Sequence, residues 1–120
     1  MKTAMAMLLA FGLLGAPALA EGQRDGYECS GLQSCTPGTA CTDGGSGFLL
    51  AFLGGGIEVR INGVTLHPVY DGDLRTAAWR SQGAVYQMRL TGDGSGVLTV
   101  TPEVGDFTQS RTEWLHCSPE

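Results

Sequence analysis

From Phe48 to the C-terminus the chain runs in short stretches of alternating polarity divided by Gly and Asp. Ile57-Glu58-Val59-Arg60-Ile61 alternates apolar and charged side chains without error, the period of a strand with one face buried. Asn62-Gly63 follows, then Val64-Thr65-Leu66-His67, and Asn62 is the only Asn in the chain. Asn-Gly readily takes the positive φ that a type I′ turn needs at both central positions, so these runs predict a hairpin. Ala84, Tyr86, Met88 and Leu90 alternate with Val85, Gln87 and Arg89. The stretch Gly92-Asp93-Gly94-Ser95-Gly96 then turns the chain into Val97-Leu98-Thr99-Val100-Thr101, which predicts a second hairpin. Residues 48–53, 76–80 and 112–117 make further strands, with Pro68 and Pro102 at strand ends or edges. Beyond residue 20 no stretch of about three turns carries a 3.6-residue period free of Gly breaks. The expected fold is therefore all-β: a small antiparallel meander or barrel of about seven to eight strands, curled because curling protects a small sheet's edges. Residues 21–26 read as a flexible N-terminal tail. Residues 27–47, rich in Cys, Gly and Thr, read as a disulfide-tied loop around one short strand, and residues 27–120 as a single β domain.

The first 20 residues follow a different rule. Lys2 supplies an early positive charge, Met5 to Ala16 is almost wholly apolar, Pro17 breaks the run, and Ala18-Leu19-Ala20 has the small-residue form of a cleavage site. This is the pattern of a removable signal peptide, and the apolar run is too short for a membrane anchor. Residue 21 is Glu rather than Cys, so the lipoprotein form is absent. The expected location is periplasmic or secreted, with no membrane anchor after cleavage. Loss of Lys2 leaves six Arg against twelve Asp and Glu, a net charge of −6 with His neutral. An acidic chain without clustered Lys or Arg excludes a sizeable nucleic-acid surface. With 120 residues in all, a two-domain enzyme is excluded too.

Cys29, Cys35, Cys41 and Cys117 form an even set in an exported chain, which predicts two disulfides. The Pro37-Gly38 turn favours closing Cys35 onto Cys41, which leaves Cys29–Cys117. The alternative is Cys29–Cys41 with Cys35–Cys117. A zinc site would want closer Cys pairs.

Candidate chemistry is sparse. His67 and His116 are the only histidines, and no Gly-x-Ser-x-Gly elbow or free thiol accompanies them. Asp71-Gly72-Asp73 and the stretch from Thr42 to Gly47 offer oxygen ligands but lack EF-hand spacing, and their residues are those of ordinary turns. Gly44–Gly47 and Gly54–Gly56 lack the Lys-Ser/Thr of a phosphate loop. No catalysis, metal or cofactor is expected. Trp79, Tyr86 and Trp114 serve either as core and barrel-end plugs or as the mouth of a small-ligand site. Arg75, Arg80, Arg89 and Arg111 are spread along the chain and make no basic patch.

Tyr27-Glu28-Cys29 near the start, Cys117 in the last strand and Ser81-Gln82-Gly83-Ala84-Val85-Tyr86 together resemble the periplasmic inhibitors of c-type lysozymes. Those are small exported antiparallel β-barrels with a Tyr-x-Cys joined to a Cys of the last strand, and a Ser-Gly-x-x-Tyr segment that enters the lysozyme cleft. This chain departs from the pattern at Gln82, which stands between Ser and Gly. It also lacks the later Trp and Lys-Gly segment. The resemblance implies a protein-binding module whose partner is a c-type lysozyme. The binding residues it implies are Ser81, Gly83 and Tyr86; Arg80 joins them on local chemistry, as a donor in the same Gly-containing loop and the natural charge partner for the carboxylates of a lysozyme cleft.

Overall fold

The alternating runs form the strands expected of them. In the computed structural model, which describes residues 24–120, all of the strands join one antiparallel sheet. They are β1 (Asp25–Cys35), β2 (Thr42–Asp43), β3 (Gly47–Leu53), β4 (Gly56–Ile61), β5 (Val64–Leu66), β6 (Val69–Asp71), β7 (Thr76–Ser81), β8 (Ala84–Leu90), β9 (Ser95–Pro102) and β10 (Arg111–Pro119). A single 3₁₀ turn, Phe107–Gln109, separates the last two. Seven strands have six residues or more, while β2, β5 and β6 have only two or three. The expected signal peptide lies outside the described residues.

The order across the sheet is β5-β4-β3-β1-β10-β9-β8-β7-β6, with β2 added beside β1. Two runs of hairpins, β3 to β5 and β6 to β10, are therefore joined through β1. This corrects the reading of residues 27–47: β1 is an eleven-residue central strand, not a short strand in a loop. It starts inside the expected tail, where Asp25 and Gly26 pair with Phe52 and Ala51. Its composition hides it because it is held mainly by backbone pairing to β3 on one side and β10 on the other. The sheet curls into a half-barrel. The end strands β5 and β6 flank the opening, linked by His67 and Pro68, and β4 approaches β6 across it.

Both favoured disulfides form. Cys29 and Cys117 are directly opposite on β1 and β10, with Cα atoms 4.0 Å apart, so this bond staples the join between the two halves. Cys35 and Cys41 have Cα atoms 4.3 Å apart and close the small loop after β1. No free cysteine remains, and two such bonds imply folding in an oxidising environment. The inner face is the core, with Leu50, Val59, Met88, Leu98 and Leu115 all buried. Each such side chain stabilises the fold by about 1.5–3 kcal/mol.

Tight turns set the register of the hairpins. Asn62 and Gly63 have φ of 52° and 78° between the paired Ile61 and Val64, the expected type I′ geometry. Gln82 and Gly83 repeat it, with φ of 51° and 77° between Ser81 and Ala84. No helix among the described residues is long and apolar enough to cross a membrane.

Candidate functional site

The half-barrel has two unlike ends. One carries the Asn62–Gly63 and Gln82–Gly83 turns, the Cys35–Cys41 loop and the connection from β9 to β10. The other carries the turns β3–β4, β6–β7 and β8–β9, together with the start of β1 and the end of β10.

The first end contains the residues singled out in the sequence. Arg80, the penultimate residue of β7, is exposed, and its Nε and Nη2 both donate to the carboxylate of Glu103 just beyond β9. The same hydrogen bonds hold the Glu103 carboxyl below the usual carboxylate range and raise the Arg80 guanidinium further. Glu103 N–H also donates to Gly83 O at 3.0 Å. The β7–β8 turn and the start of the 103–110 connection are thus held together. Ser81 closes the turn opposite Ala84. Tyr86 is set apart from these three: it turns inward and stacks on Trp79, with ring centroids 5.4 Å apart and planes 8° from parallel. Phe48 packs edge-on against the other ring of that stack, Trp79, whose buried Nε1 finds no acceptor. Trp114, by contrast, faces outward and is 44% exposed, so Trp79, Tyr86 and Trp114 do not share a mouth.

Sequence reasoning missed the segment beyond Glu103. Val104 is 89% exposed and Phe107 80% exposed. Phe107 does not sit on a slack loop. Asp106 caps its 3₁₀ turn by accepting from Thr108 N–H at 3.0 Å, and Ser110 N–H donates to Phe107 O at 2.9 Å. The Thr108 N–H bond also holds the Asp106 carboxyl below its usual range. The signal was there to read: Phe107 is an isolated aromatic in a stretch of Gly, Asp, Thr and Gln, where no sheet face can bury it.

A second carboxylate at this end is buried. Glu113 of β10 points inward and is 1% exposed. Its Oε1 accepts from Ser46 N–H at 2.7 Å, and its Oε2 from Ser46 Oγ at 3.0 Å and Arg111 Nε at 2.7 Å. The loop 44–46 therefore folds over the carboxylate. Two glycines make that closure fit: a Cβ on Gly45 would come within 2.5 Å of Glu113 Oε1, and one on Gly31 within 2.7 Å of Gly45 Cα. Gly31 also begins the β-bulge that re-aims β1 here.

No protein-family model, curated protein or solved structure matches the chain. What each site can do is read from its own geometry.

At the opposite end, Asp71 Oδ1 accepts from the N–H groups of Asp73 and Leu74, an ordinary turn cap for this Asp-Gly-Asp stretch. His67 and His116 are exposed, one between the end strands and the other on β10. Among the described residues no three His, Cys, Asp or Glu side chains converge. This end is instead marked by a recess of about 320 Å³ lined by Tyr27, Leu50, Phe52, Tyr70, Arg75 and Leu90 among others. Tyr27 meets Phe52 edge-on at 5.9 Å, and Phe52 meets Tyr70 at 6.0 Å. No local pattern announces this trio, because β1, β3 and β6 each supply one ring.

Proposed function

We propose that this is an exported, non-catalytic protein-binding module that docks through the end formed by Arg80–Gly83 and the 103–110 connection. The observation that carries the reading is Phe107, held out to solvent by a capped turn in the connection whose Glu103 also holds the candidate loop. Large aromatic side chains and Arg are the usual anchors of protein interfaces, and Ser is not. Phe107 and Arg80 therefore supply the contact energy, while Ser81 and Gly83 shape the approach. Tyr86 acts from behind, as part of the stack that supports β7 and β8.

The sharpest form of this reading is inhibition of a c-type lysozyme, as the resemblance implies. An exported domain of net charge −6 steers toward a basic partner. For Arg80 to meet a carboxylate of that partner, it exchanges its exposed pairing with Glu103. The test is lysis of bacterial cell walls by c-type lysozyme in the presence of the purified protein, of Phe107→Ala, and of an Arg80→Ala, Ser81→Ala double variant. Inhibition at micromolar protein, weakened about tenfold or more by either variant, is the expected result. No inhibition at that concentration discards lysozyme as the partner. Equal inhibition by all three forms moves the site elsewhere.

A further inference from the structure

The recess at the other end is lined by one cation, the exposed Arg75, which makes no ion pair among the described residues. Arg75 lies in the β6–β7 turn with φ of 52°, a conformation uncommon for a side chain of its size. Two bonds tie it to the neighbouring turn: Leu90 N–H donates to Arg75 O at 3.0 Å, and Arg75 Nη1 donates to Thr91 O at 3.0 Å. Gly92 leaves the space, since a Cβ there would stand 2.8 Å from Arg75 Nη1. The guanidinium is thus positioned, yet among the described residues no carboxylate pairs with it. The nearest acids by sequence are otherwise engaged. Asp71 caps its own turn, and Asp93 accepts from Thr91 Oγ1 and Ser95 N–H. Neither Asp71 nor Asp93 lines the recess; Asp73 shares an adjoining cavity with Arg75 but makes no ion pair with it.

We infer that this recess binds a small amphiphilic carboxylate: a flat aromatic body among Tyr27, Phe52 and Tyr70, and a carboxylate on Arg75. Three rings, with Leu50 and Leu90 in the same lining, make a wall that rewards an apolar body. The volume of about 320 Å³ is roughly twice that of a cavity that holds benzene, and it falls at the lower end of small-molecule sites. That suits a fused two-ring acid. A guanidinium held by one backbone carbonyl keeps further N–H donors for a carboxylate. The same charge rejects a cationic ligand, which an aromatic wall alone would otherwise welcome. This site is independent of the docking end and of any protein partner there.

The test uses 2-naphthoate, the neutral 2-naphthylmethanol and the cationic 2-naphthylmethylammonium, titrated calorimetrically into the purified protein. Amide and aromatic NMR shifts locate whatever binds. Saturable one-to-one binding of 2-naphthoate below about 1 mM is expected, with shifts at Tyr27, Phe52, Tyr70 and Arg75. The alcohol binds about tenfold more weakly and the ammonium more weakly still. Arg75→Gln brings acid and alcohol level. Arg75→Lys restores much of the preference, which separates loss of charge from damage to the turn. Phe52→Ala weakens acid and alcohol alike. Absence of saturable 2-naphthoate binding, shifts confined to other faces, or undiminished acid preference in Arg75→Gln overturns the assignment.

Discussion

The two ends of the half-barrel are built from the same kinds of side chain put to opposite use. At the docking end two carboxylates are paired with guanidinium groups. Arg111 and Ser46 satisfy Glu113, and Arg80 holds Glu103. Beside them the apolar Val104 and Phe107 stand exposed. At the recess three rings are packed on one another, and the exposed Arg75 beside them makes no ion pair among the described residues. Binding capacity lies in the group that the fold does not satisfy internally. Its type sets the class of ligand: a broad surface for exposed apolar side chains, a small anion for an exposed cation beside an aromatic recess.

The strongest way to break this arrangement is to cut the seam that keeps the two halves together. A Cys29→Ala, Cys117→Ala double variant opens a ring with a sequence separation of 88. On the chain-entropy argument it loses about 4–5 kcal/mol. The matching change at Cys35 and Cys41, with a separation of 6, loses about 2 kcal/mol on the same basis. Urea melts of the two double variants should differ in midpoint in that order.

The next largest effect contrasts the two Arg–Glu pairs of the docking end. Glu113→Ala orphans three donors beneath the 44–46 loop. It should cost about 2 kcal/mol or more, because the part-buried Ser46 donors lose their acceptor. Glu103→Ala breaks an exposed pair and should leave the melt unchanged while freeing Arg80. A midpoint equally low in both variants would show that burial does not separate the two pairs.

A smaller effect is expected at the turns. Gly63→Val and Gly83→Val each force a β-branched residue to positive φ and should destabilise by about 1 kcal/mol or more. The Gly83 change also alters the docking loop, so it should weaken partner binding where the Gly63 change does not. Phe107→Ala is expected to change stability least of all, because the side chain is already in water. Its effect belongs in the binding measurement.

The regions differ in how legible they were in the sequence. Strands β4, β5, β8 and β9 could be read directly, because alternation and Gly-containing turns are local patterns. The disulfide pairing came from a local Pro-Gly turn and an even count. The eleven-residue β1 could not be read, because its place is set by two partner strands and not by its own few apolar residues. Arg80, Ser81 and Gly83 sit together at the β7–β8 hairpin turn, while Tyr86 faces the core, as its alternation with Met88 and Leu90 already allowed. The aromatic recess was invisible because its rings come from strands far apart in the chain, and its cation sits in a turn that reads as ordinary punctuation.

The measurement that bears most directly on the docking assignment is a titration of c-type lysozyme into isotope-labelled protein, with backbone amide shifts tracked by NMR. Shifts and broadening concentrated at residues 80–83 and 103–109, with Tyr27, Phe52, Tyr70 and Arg75 unmoved, are the predicted result. Changes centred on those recess residues, or no change with lysozyme in excess, would contradict it.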